Sequence, residues 1–255
     1  MRHVKKLYLG WYGENRRSWY PVGQFAVSGD EYVFYYLAGA IKARQEAGFR
    51  GVFQFPDFER TYRSRELFAF VSNRVMSPRR PDYEDHARRL GLETEGLRPF
   101  DILSRSYGRR MTDTYELYAA PERDGDTIEL DFFARGVRYL DKSLQEFWTN
   151  AAPEPPLYLR RERNNQYDRF ATEVCDADDR KLGYLPRYYT ESLSQVVDAS
   201  CEYRLELLQH NREPGFVRER FLLRLNANVP GGWHFPQSEM YKPLSTLAAD
   251  DSEVA

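Results

Sequence analysis

The sequence predicts an α+β protein in two domains, on four observations. A chain of 255 residues is long enough for two modest cores. A three-stranded meander followed by helices fills the first part. Between Leu157 and Arg187, strand, loop, strand, turn, strand and helix succeed one another. Aromatic residues at 15% and charged ones at 30% suit amphipathic sheets with polar outer faces.

In chain order, Val4–Tyr12 alternates as a strand, and Asn15–Ser18 turns it into Trp19–Val27. A turn at Ser28–Asp30 then leads to Glu31–Tyr36. Leu37–Ala47 is rich in helix formers and stops at Gly48, and Gly51–Phe58 is a loop. Ser64 is placed to cap a helix over Arg65–Val75, with Leu67, Phe70, Val71 and Val75 on one face. Short helices follow at Asp82–Leu90 and Pro99–Ser106, then a strand at Thr114–Ala119. The polar turn Glu122–Asp126 marks the expected boundary, giving domains at 1–122 and 127–228 and a tail at 229–255.

Beyond that boundary, Thr127–Arg138 alternates as a strand, and Ser143–Asn150 with AAPEPP reads as a helical turn and a stiff connector. Tyr188–Ala199 is an amphipathic helix, and Cys201–Leu208 with Phe216–Leu225 form a closing hairpin. Trp233, Phe235 and Tyr241 tack an irregular segment onto the body, and the small, acidic Ala248–Ala255 is expected to be disordered.

A formal charge of −2 means that any nucleic-acid contact must come from a local basic patch. The two cysteines, Cys175 and Cys201, have no paired spacing, which fits a reducing compartment. No apolar run reaches the length of a membrane span, and Glu14 breaks any signal peptide, so a cytoplasmic protein without membrane contact is expected. The scattered histidines make no metal-ligand pair. Asp176, Asp178 and Asp179 lack the glycine and glutamate of a calcium loop. Glu129 and Asp131 alternate as in a nuclease strand, but no lysine follows. With no nucleophile elbow or phosphate-cradling loop either, neither an enzyme nor a cofactor is expected.

The polar chemistry gathers in the loop after Leu159. Arg160, Arg161 and Arg163 precede Asn164 and Asn165, which favour a turn, and Tyr167-Asp168 follow with Arg169 next to them. A tyrosine face can stack on an unpaired base, a carboxylate can accept a hydrogen bond from a free hydroxyl, and arginines can hold phosphates. Composition alone favours a tyrosine packed on the sheet while Asp168 caps a turn.

RERNNQYDRFATEV followed by KLGYLPR resembles the HIRAN domain, a module found at the front of certain DNA-repair helicases and as a bacterial protein. That family carries an Asn-Pro-Tyr-Asp loop and a later Gly-Tyr-Leu-Pro-type strand, and RGVRYL fits its first strand. The resemblance implies a small β-barrel with one or two helices and a pocket for the 3′ end of single-stranded DNA. Carried over, Tyr139 and Tyr167 would stack terminal bases, and Asp168, within the loop that Asn165 shapes, would bind the 3′ hydroxyl. Arg138 and Arg187 would hold phosphates, Tyr184 would complete the wall, and Phe216 is the most loosely aligned member. Gln166 stands where the family favours proline.

The first part has a resemblance of its own. A meander closing on LAGAI, then LFAFVSNRVMS and RPFDILSRSYGRRMTDTYEL, is similar to the small N-terminal subdomain of HipA-type toxin kinases over residues 4–119. Thr112 and Asp113 depart from its pattern, and no kinase core follows within the sequence. The two resemblances imply DNA, as single strands or 3′ ends, for the second domain. For the first they imply a protein partner: a HipA-like kinase under antitoxin-like regulation, or a helicase or nuclease served as an accessory.

Overall fold

The computed structural model describes residues 3–199 and 201–245; the expectation for Ala248–Ala255 lies outside them. The described chain divides into two compact units that interleave in sequence: residues 3–83, 94–120 and 236–245 form one, residues 84–93 and 121–235 the other.

In the first unit, β1 (Lys6–Gly13), β2 (Ser18–Ser28) and β3 (Glu31–Tyr36) form the meander, and α1 (Ala38–Ala47) ends at a left-handed Gly48. With β4 (Tyr62–Ser64) and a later strand, β5, at Tyr115–Tyr118, they make an antiparallel sheet ordered β4-β3-β2-β1-β5. Aromatic rings fill its core, with Phe34 stacked on Phe55 at 4.1 Å. The buried Tyr36 hydroxyl donates to the Phe55 carbonyl at 2.6 Å and accepts from the Val52 amide at 2.8 Å, pinning the loop over that core.

The helix expected over Arg65–Val75 is only one turn, α2 (Ala69–Ser72), because Ser64 belongs to β4 and its hydroxyl engages the Glu66 amide and carbonyl in a local turn. Next come α3 (Tyr83–Arg89) and α4 (Pro99–Ser106), whose Asp101 side chain accepts from the Arg98 amide at 3.0 Å and so caps the first turn.

The second unit holds two antiparallel sheets. The turn expected at Glu122–Asp126 is the start of a hairpin: β6 (Glu122–Asp124) pairs with β7 (Thr127–Phe133), and they share a sheet with β11 (Tyr203–His210) and β12 (Phe221–Asn228) in the order β11-β12-β7-β6. The other sheet, ordered β10-β9-β8, comprises β8 (Tyr158–Arg161), β9 (Thr172–Cys175) and β10 (Lys181–Tyr184). Helix α5 (Lys142–Asn150) precedes β8 and buries Trp148, and α6 (Arg187–Asp198) follows Pro186.

The expected barrel is not closed. The two sheets meet at isolated bridges, Arg135 with Tyr184 and Leu157 with Leu205. Two features stop a continuous ladder. Gly136 takes a left-handed φ of 75° and turns the chain out of β7 into a 3-10 turn over Val137–Tyr139, so RGVRYL is a strand end and a turn, not a full strand. Pro155 and Pro156 have no N–H with which to extend β8 backward. The second hairpin strand likewise begins later than expected, leaving Phe216 in a 3-10 turn over Pro214–Glu219.

Candidate nucleic-acid interface

The loop between β8 and β9 is shaped by Asn165. Its side-chain oxygen accepts from the Tyr167 amide at 2.9 Å and the Asp168 amide at 3.0 Å, and its amide nitrogen donates to Glu162 at 2.7 Å. This is the turn that adjacent asparagines favour, here closed on both sides of the side chain. It leaves Tyr167 59% exposed.

Asp168 is oriented from both sides. One carboxylate oxygen accepts from the Phe170 amide at 2.8 Å, and the other accepts from the Thr190 hydroxyl on α6 at 3.0 Å, with Arg187 Nε 4.0 Å away. Asp168 therefore caps its turn, as the plainer reading had it. A carboxylate has about four acceptor positions, so capacity for a further donor remains.

Tyr184 ends β10 with backbone hydrogen bonds to Arg135 of 2.8 Å in both directions. Its hydroxyl donates to Glu162 at 2.8 Å and lies 2.5 Å from Lys181 Nζ. Gly136 sits against the ring, where a Cβ would stand 3.1 Å from Tyr184 Cδ2. Burial pushes the Glu162 carboxyl up, but hydrogen bonds from Asn165 and Tyr184 and the charges of Lys181 and Arg160 outweigh it, so it titrates below its ordinary value.

Arg138 and Tyr139 lie in the 3-10 turn after Gly136. The guanidinium covers the Tyr139 ring at 4.6 Å and bonds its hydroxyl, while Tyr139 remains 74% exposed. The turn holding Phe216 lies beside this one. Phe216 is half-buried, and a guanidinium from outside the expected domain, Arg89, covers its ring at 4.0 Å.

Of the predicted residues, Asn165, Asp168 and Tyr184 are linked by bonds the sequence did not reveal, while Arg138 with Tyr139 and Phe216 with Arg89 form separate contacts. Glu162 joins the loop to Tyr184, Tyr184 joins β10 to the end of β7, and Arg135 Nη2 donates to the Tyr188 hydroxyl on α6 at 2.7 Å. Thr190 then joins α6 back to Asp168. Glu162, Thr190, Arg135 and Tyr188 were missed. Only Glu162 carried a local signal, an acid three residues before the turn asparagine.

The arginine run divides. Arg160 is committed to Glu173 at 2.8 Å and also pairs with Asp179. Arg161 is largely buried and donates to the Arg169 carbonyl at 2.9 Å. Arg163 and Arg169 stay about 80% and 79% exposed, with carboxylates only at 3.8 and 3.9 Å. The alternating acids of β7 serve an ion pair: Arg224 holds Asp131 at 2.7 Å and Glu129 at 3.3 Å. Among the described residues no cluster of acids, histidines and cysteines could hold a metal, and no helix is long and apolar enough to cross a membrane.

Residues 128–230 match the HIRAN domain family. Among solved structures, a Lactobacillus plantarum protein from a structural genomics consortium is 24% identical over 40% of this chain and 90% of its own, with a TM-score of 0.31. The HIRAN domain of human HLTF is 17% identical over 41% of this chain and 79% of its own, with a TM-score of 0.29. No curated protein matches the chain. The resemblance of residues 4–119 to the HipA-type subdomain rests on its motifs alone. The C-terminal part of this chain, over residues 128–230, is a HIRAN domain.

Proposed function

We propose that the protein binds DNA without altering it, preferring single strands with a free 3′ hydroxyl, through the face bearing Tyr139, Tyr167 and Asp168. One observation carries the reading. Of the large apolar side chains left exposed, two are tyrosines, one in the turn after Gly136 and one in the loop that Glu162 ties to Tyr184, and the latter adjoins a carboxylate oriented by an amide and a hydroxyl. Exposed rings give stacking surfaces indifferent to base identity. The carboxylate accepts a terminal hydroxyl and repels a terminal phosphate. Arg138, Arg187 and the exposed Arg163 and Arg169 supply local positive charge for the DNA backbone in a chain whose net charge is −2.

The test is fluorescence anisotropy with one oligonucleotide ended in 3′ hydroxyl or 3′ phosphate, alongside a circular strand. Tighter binding of the hydroxyl end supports the reading, and equal affinity for all three removes end recognition. Incubation with ATP or DNA and Mg²⁺ should give no turnover.

For the first unit we propose protein docking, by a HipA-like kinase or by a helicase or nuclease. Its protruding Phe53 and Met111 are fully exposed. Co-expression with such a partner, followed by co-purification lost on Phe53→Ser, is the check.

A further inference from the structure

Residues 84–93 pack within the C-terminal unit although they lie outside the HIRAN match at 128–230. Ala87 and Leu90 are buried, and a Cβ on Gly91 would come within 2.5 Å of Leu222. Asn211 Nδ2 donates both to the Arg89 carbonyl at 3.0 Å and to the Glu219 carbonyl at 2.6 Å. The backbone at Arg89 is therefore fixed against the turn that carries Phe216.

The side chain is placed unlike those of its neighbours. Arg88 pairs with Asp85 at 2.7 Å and Arg80 with Asp82 at 2.8 Å, whereas no carboxylate among the described residues pairs with Arg89. Its Nε is buried without a hydrogen-bond partner, and its guanidinium lies 4.0 Å over the Phe216 ring. A guanidinium on a ring uses its face, which leaves N–H edges for the oxygens of a phosphate. The turn Val137–Tyr139 lies alongside, with Arg138 over Tyr139 at 4.6 Å. Two rings of the HIRAN domain, each under a guanidinium, thus stand on neighbouring turns, and one of those guanidiniums, that of Arg89, comes from outside the domain.

We propose that Arg89 is a phosphate-binding residue of the DNA interface, supplied from outside the HIRAN domain, and that it grips a backbone phosphate of the strand beside Phe216. The proposal rests on the DNA-binding reading above. Each phosphate held on a single strand contributes roughly 0.7 to the slope of log affinity against log salt. Binding of a 3′-hydroxyl oligonucleotide to the full chain should therefore weaken several-fold in Arg89→Ala, with the slope reduced by about that amount. Arg89→Lys should keep the slope, and the preference for hydroxyl over phosphate ends should persist in both.

Arg89→Met keeps an unbranched chain against Phe216 without the charge. It should lose affinity as Arg89→Ala does; wild-type binding by Arg89→Met would reduce Arg89 to packing and overturn the proposal. An unchanged affinity and slope in Arg89→Ala, while Tyr167→Ala weakens binding, would overturn it and leave the DNA reading standing. If the wild-type chain binds no DNA, both fall.

Discussion

The Thr190 hydroxyl donates to Asp168 at 3.0 Å, so a side chain on the second turn of α6 fixes the carboxylate of a loop that precedes it by a strand pair. The same hydroxyl lies 2.8 Å from the Arg187 carbonyl, so its one proton is shared between the carboxylate and a helical back-bond. Thr190→Val preserves shape and removes the donor. It should lower the preference for 3′ hydroxyl over 3′ phosphate by about 1 kcal/mol and leave circular-strand binding unchanged, as anisotropy titrations would show.

Asp168→Ala should go further. A hydrogen bond to a charged acceptor is worth roughly 1.5–3 kcal/mol, and repulsion of a terminal phosphate disappears with the charge. The two strand ends should then bind alike. Persistence of the full preference in this variant would exclude Asp168 as the reader of the end.

Tyr167 and Tyr139 present rings, so the ring and not the hydroxyl should matter. Tyr167→Ala should weaken single-strand binding by roughly 1–3 kcal/mol and Tyr167→Phe by little. For Tyr139 the hydroxyl bonds Arg138, so Tyr139→Phe should also free that guanidinium and raise the salt slope or leave it unchanged. A large loss in Tyr167→Phe would point to a polar role instead.

Acid should loosen the loop through Glu162. Its carboxyl titrates below the ordinary glutamate range in the fold, so the unfolded chain takes up the proton first. The stabilisation is complete above the ordinary value near 4.3 and is lost as pH falls through the lowered one. Glu162→Gln should abolish this part of the pH dependence and increase amide exchange at Tyr167 and Asp168, measured by hydrogen–deuterium exchange.

His210 should act in a higher window. Burial, then the charges of Arg212 and Arg220, push its ring down from 6.5 to about 4, against a smaller opposing effect of the Trp148 carbonyl. The unfolded chain therefore binds a proton that the folded one refuses. Stability should be full above about 6.5 and fall as pH drops toward 4. Thermal melts of the wild type and of His210→Phe, which packs beside Phe221 without titrating, should diverge across that interval.

What could be read from the sequence was mostly local. Glu31–Tyr36 and Pro99–Ser106 occur with the expected limits because alternation, a proline start and a capping acid lie within the elements themselves. The turn at Asn165 was legible for the same reason, since its bonds reach only two and three residues ahead. Ser64 misled because a serine before an acid serves a cap and a local turn equally well, and pairing of β4 with β3 decided for the turn. Thr190 on Asp168, Tyr184 on Glu162 and Arg89 on Phe216 join residues with no sequence pattern to link them, and tertiary packing alone brings them together.

Gly183 has a consequence for how this face opens. It takes a φ of 152°, and a Cβ there would stand 2.5 Å from the Arg135 carbonyl oxygen. Closeness of two backbones, unmediated by side chains, is what lets Arg135 and Tyr184 exchange their hydrogen bonds. Any side chain at 183 would wedge the two sheets apart while sparing most contacts within each. In a variant with a side chain there, the Arg135 and Tyr184 amides would therefore exchange ahead of those inside either sheet.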